Sequence, residues 1–221
     1  MSYFSNRYKL ELFQLVDESM QKMFIKLLAD NVKNLMIDLK SHMKNFKPYF
    51  YESERVSLKI LELLITIAKN LSISASFCRN FSTECAGITL LFSIINSNVF
   101  IEEIPRLEKK ESKYEFKLVV NIYGNTLSIL YNILKQTNNE FQPALSEQNA
   151  FESLIKALVT YAKTSDFRLK IYMSLAHLFI DKDVSQLSNV KQDIKELVDY
   201  SSLATVAVHH DSYVLGHAGT L

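Results

Sequence analysis

Apolar residues recur along most of this chain at steps of three and four, the period of one buried helix face. Phe13, Val16, Met20, Met23, Phe24 and Leu27 predict a first amphipathic stripe. Asp30 is placed to cap a second helix, whose stripe would be Val32, Leu35, Leu39, Met43 and Phe46, with Pro48 as its end. The stretch "VSLKILELLITIAKN", about 55–72, is apolar on most sides and is expected to be central. "CAGITLLFSIINS" predicts another apolar helix around 86–96. The pattern breaks at 101–117, "IEEIPRLEKKESKYEFK", where ten charged residues and Pro105 predict a solvated loop. It resumes at "LVVNIYGNTLSILYNILKQ", with Gly124 as a candidate kink or boundary. A polar corner, "QTNNEFQPALSEQ", separates this helix from "NAFESLIKAL". "FRLKIYMSLAHLFIDKD" and "NVKQDIKELVDYSSL" follow.

Three of these segments align with one another. Val56/Ile122/Phe167, Leu61/Leu127/Tyr172, Leu64/Leu130/Leu175, Ile67/Ile133/Leu178 and Ala68/Leu134/Phe179 are apolar in every copy. Their spacing keeps them on one broad helix face. Phe167 follows Ile122 by 45 residues, and Ile122 follows Val56 by 66, most of the excess falling in the charged loop. A shorter helix recurs between them. "CAGITLLFSII" aligns with "QNAFESLIKAL" through Ile88/Phe151, Leu91/Leu154 and Phe92/Ile155, and Ile194, Leu197 and Val198 continue the pattern.

Unit length and helix order resemble the armadillo family and the related HEAT-type arrays over about residues 30–203. "LYNILKQ" and "SLAHLFIDK" stand as unit-ending helices, and "SEQNAFESLIKAL" as a middle helix after a polar corner. The glycine frequent before that family's middle helix is present at Gly87, while Ala150 stands in its place one copy on. The resemblance implies an all-α, armadillo-like α-solenoid. Some multidomain proteins carry such arrays ahead of Toll/interleukin-1-receptor-type signalling domains. The expected organisation is amphipathic helices at 1–50, repeats over 51–203 with the charged loop at 101–117, and an irregular tail at 204–221. The tail, "LATVAVHHDSYVLGHAGTL", stands where the next long helix should be, so the array is expected to be incomplete at its C-terminus. Self-association through that uncapped end is a further expectation.

Composition narrows the function classes. With 221 residues and 48% hydrophobic content the chain is able to bury a core. Only 4 Gly and 3 Pro argue against an all-β fold. Against 24 acidic residues stand 25 basic ones, so the broad basic footprint of a nucleic-acid binder is missing. Five of the six Met precede position 45 and read as core filler and initiator. Cys78 and Cys85 read as reduced core thiols of a cytoplasmic protein. No apolar run approaches the ~20 residues of a membrane span.

Chemistry-bearing motifs are sparse. No glycine-rich phosphate loop or nucleophile elbow is present, so no catalytic residue, cofactor or resident metal is expected. Two other readings exist. His209, His210, Asp211 and His217 include metal-ligand types, which would make the tail a zinc site. Lys40, Lys44 and Lys47, beside Tyr49, Phe50 and Tyr51, would suit a nucleic-acid or anionic-membrane contact through 40–51. The principal expectation is a non-catalytic scaffold or adaptor for protein partners. An extended or helical partner segment would meet polar positions of the unit-ending helices: Lys59, Glu62, Asn125, Ser128, Asn132, Gln136, Lys170 and His177.

Overall fold

A computed structural model describes residues 13, 16–43, 52–98, 100, 113–137, 140–160 and 165–179. Every regular element among them is a helix: α1 (Glu18–Met43), α2 (Glu52–Leu71), α3 (Ala75–Glu84), α4 (Gly87–Ile95), α5 (Lys113–Thr137), α6 (Gln142–Glu147), α7 (Ala150–Thr160) and α8 (Ser165–Phe179).

α1 runs through Asp30 without a break, which corrects the expectation of two helices. Neither Gly nor Pro interrupts "LLADNVKNL", and Ile25, Leu28, Ala29, Val32, Met36 and Leu39 form one buried stripe along the whole helix. That stripe also corrects the face. Val16, Met20, Met23, Phe24 and Leu27, expected inside, lie on the exposed side, with Met20 55% and Met23 64% accessible. Both faces of the first half of α1 are apolar, so periodicity could not choose between them.

α4 is apolar all round and buried accordingly, through Ile88, Leu90, Leu91, Phe92, Ile94 and Ile95. α5, not α2, is the central element. It packs on α2 along one side and on α8 along the other, and α3 and α4 also rest against it. Its aligned residues Ile122, Leu127, Leu130, Ile133 and Leu134 are all buried. α1, α4 and α7 form a second row in the same order, pairing with α2, α5 and α8 respectively and with one another in sequence. α1 shares a single apolar core with the later helices.

Gly124 lies inside an unbroken α5, correcting the expected kink. Its missing side chain serves close packing instead: a Cβ there would come within 2.9 Å of the Phe167 ring of α8.

The two middle helices begin alike. Ala86, just before α4, and Asn149, just before α7, are the non-glycine residues with positive φ among the described ones, each at 47°. They occupy the same place in the alignment of "CAGITLLFSII" with "QNAFESLIKAL". In both copies that carbonyl then accepts the amide four residues on, Ala86 from Leu90 and Asn149 from Ser153, each at 3.0 Å. The local left-handed turn is repeated, although neither copy places its glycine there. α3 was not foreseen. Its buried face is Phe77, Cys78 and Phe81, within a stretch first read for its cysteines. The polar corner after α5 contains the short α6, with Pro143 in its first turn, where a missing N–H costs no hydrogen bond.

Candidate functional site

Along the seam between α2 and α5 lies a ladder of polar side chains built mainly from α5. Asn121, Asn125, Asn132 and Gln136 follow one another at helical spacing on one face of that helix. Asn121 Nδ2 donates to Glu62 Oε1 at 3.3 Å. Asn125 Nδ2 donates to Thr66 Oγ1 at 3.1 Å. Asn132 Nδ2 donates to Ser72 Oγ at 2.8 Å, and Gln136 Nε2 to the Ile73 carbonyl at 3.2 Å. These last two hold the corner after α2, where Ser72 Oγ also donates to the Lys69 carbonyl at 2.7 Å. At the other end Arg55 and the buried Glu115 carboxylate pair at 2.6 Å, tying the start of α2 to the start of α5.

The seam between α5 and α8 also carries a polar contact. Lys170 Nζ and Ser128 Oγ both donate to the Gly124 carbonyl, each at 2.9 Å. Further links join elements distant along the chain: Asn96 Nδ2 of the α4 cap donates to Ser153 Oγ of α7 at 3.0 Å, and Arg79 of α3 pairs with Glu140 at 3.2 Å.

Of the expected contact residues, Glu62, Asn125, Asn132 and Gln136 meet at the first seam, and Ser128 and Lys170 at the second. Lys59 is an exposed residue of α2, within the same row. The His177 side chain lies outside the described residues, as do His209, His210, Asp211, His217 and most of the 40–51 patch. Asn121 and Thr66 belong to the ladder and were missed. Asn121 stands four residues before Asn125, and that spacing alone would have found it. Most of these side chains are half-buried and already engaged between helices. An amide giving one N–H to a rung has a second N–H and a carbonyl oxygen in its inventory, so the ladder holds the helices in register and carries further hydrogen-bonding groups.

Cys78 and Cys85 are free thiols. Burial pushes the Cys78 thiol up to about 12, and its Sγ donates to the Ser72 carbonyl at 3.1 Å. Cys85 is also raised, first by burial and then by nearby Asp30 and Glu84. Both shifts oppose thiolate formation, so neither thiol is activated as a nucleophile. Among the described residues no three His, Cys, Asp or Glu lie together as a metal site would require, and no helix is long and apolar enough to cross a membrane.

Comparison of the chain with protein-family models, with curated proteins and with solved structures finds no match in any of the three.

Proposed function

We propose that this chain is an armadillo-like helical array that acts as a non-catalytic scaffold or adaptor, binding a protein segment along the polar edge of α2, α5 and α8. The observation that carries the reading is the row α2–α5–α8, in chain order, with amide-to-hydroxyl rungs between α2 and α5 and the Lys170 ammonium on the Gly124 carbonyl between α5 and α8. Equivalent left-handed turns at Ala86 and Asn149 support the repeat. Regularly spaced amides suit a partner backbone, because an extended segment presents N–H and C=O groups at regular intervals.

The test compares proteins recovered on the wild-type chain with those recovered on Asn125→Arg/Gln136→Glu and on Lys156→Glu. The first pair changes the edge, and Lys156 lies on the exposed side of α7. At least one protein recovered by wild type and by Lys156→Glu should be lost or reduced tenfold or more on the edge variant. Equal recovery on all three, with helix content retained, would overturn the proposal.

A further inference from the structure

The large apolar side chains that remain exposed among the described residues all fall within 16–73, on α1, α2 and the segments bordering them. On α2 they form one stripe: Val56 at 54%, Ile60 at 44%, Leu63 at 52% and Ile67 at 40%. Steps of four, three and four place them on one side of the helix, away from the buried Leu58, Leu61, Ile65 and Ala68.

The repeat register says what this side is for. Carried forward by the same alignment, the stripe becomes Ile122, Thr126, Ile129 and Ile133 on α5, all of them 0% exposed. On α8 it becomes Phe167, Ile171 and Ser174, also buried. The Phe167 ring lies 5.2 Å from Tyr123 of α5, centroid to centroid, and against Gly124. This is therefore the side by which a long helix meets the long helix before it. α2 is the first long helix of the row, and there the same side faces solvent. α1 does not cover it, because its buried stripe is spent against α2, α3 and α4 through the shared core.

We propose that a second copy of this chain covers the stripe, with α2 packed antiparallel against α2 of the partner subunit about a twofold axis. The spacing is self-complementary: reversed, it still reads four, three, four. An antiparallel pair centred between Ile60 and Leu63 sets Val56 opposite Ile67 of the partner subunit, and Ile60 opposite Leu63 of the partner subunit. The contact is isologous and closes at two chains. Ser53 and Ser57 border the stripe on one edge and Lys59 and Asn70 on the other, a polar rim with small residues that permit close approach. The four side chains, each 40–54% exposed, form one contiguous apolar patch per copy, the kind of surface that marks an interaction site on a monomer. Two such patches make a contact at the small end of protein interfaces, so the association is expected to be weak and reversible. This assignment uses the repeat register; the proposed partner-binding edge adjoins the stripe at Lys59 and continues on α5 through Asn125 and Gln136.

Sedimentation velocity on the full chain across roughly 1–200 µM tests it, a range that brackets micromolar association. The expected result is a reversible shift from one chain of 25.5 kDa to two. Ile60→Glu/Leu63→Glu should remain monomeric throughout, a loss of at least a hundredfold in affinity, with helix content unchanged by circular dichroism. If that pair lowers helix content, Ile60→Ser/Leu63→Gln serves in its place. Met23→Glu/Leu27→Glu, on the exposed side of α1, should shift the dimerisation midpoint less than tenfold. A monomeric wild type over the whole range overturns the proposal, as does a dimer that survives the α2 substitutions. A dimer lost only in the α1 variant also overturns it, since the covered face would then be α1. The peptide-binding edge is read separately by recovery on Asn125→Arg/Gln136→Glu, whose dimerisation should match wild type.

Discussion

Phe81 and Gly87 share one small volume at the start of α4. A Cβ built on Gly87 would meet the Phe81 ring and would come within 2.6 Å of the Phe81 carbonyl oxygen. In the sequence alignment with "QNAFESLIKAL" the corresponding pair is Ala144 and Ala150, so a large residue beside glycine is exchanged for two small ones. Overpacking predicts that Gly87→Ala destabilises the protein by about 1–3 kcal/mol. Phe81→Ala alone should cost about 3–5 kcal/mol through lost burial. Because both changes act on one volume, urea denaturation of the double variant should show a cost at least about 1 kcal/mol below the sum. Strict additivity would mean that the two residues do not share this space. Ala86, one residue earlier, adopts the left-handed backbone conformation that Gly87 next to it would enter at less steric cost. Gly87 is spent on proximity to Phe81, so the turn falls to a residue with a side chain.

Between elements, the long helices are held by two kinds of contact. Apolar burial supplies most of the attraction but tolerates sliding, whereas the α2–α5 rungs specify one register. Asn132 is the rung best placed for a test, because its acceptor Ser72 also closes the corner after α2. Asn132→Leu should destabilise the fold by about 0.5–1.5 kcal/mol, and a double-mutant cycle with Ser72→Ala should give a coupling of similar size. A coupling near zero would show that the 2.8 Å contact contributes no specificity. Much of this ladder was legible beforehand, since Asn125, Asn132 and Gln136 recur on one helix face. Their acceptors were not legible, because Thr66, Ser72 and the Ile73 carbonyl lie about 60 residues away and only packing brings them near.

For the whole molecule, position in the row governs local stability. α5 has neighbours on both sides, and its aligned apolar residues are all buried. α2 has one neighbour within its row, α5, and an exposed apolar stripe. Native-state hydrogen exchange at low chain concentration should therefore find the slowest amides in the middle of α5, about Ile122–Ile133. The first turns of α2 should exchange at least about tenfold faster. Equal protection in the two helices would contradict a layered arrangement with α5 at its centre. The armadillo-type reading shares this expectation, because each unit of an array contacts chiefly its neighbours.

Sequence by itself determined that the chain is helical and where most helices run, and it offered an alignment of α2, α5 and α8. Those properties follow from local periodicity, from scarce Gly and Pro, and from a pattern repeated along one chain. It also placed the polar row on α5. Only the tertiary structure decided which apolar faces are covered. α2 looked central because it is apolar on most sides, yet Val56, Ile60, Leu63 and Ile67 stay exposed while their counterparts on α5 are buried. Burial depends on whether another helix lies against a face. A helix's own sequence records that a face is apolar and does not record what occupies the space beside it.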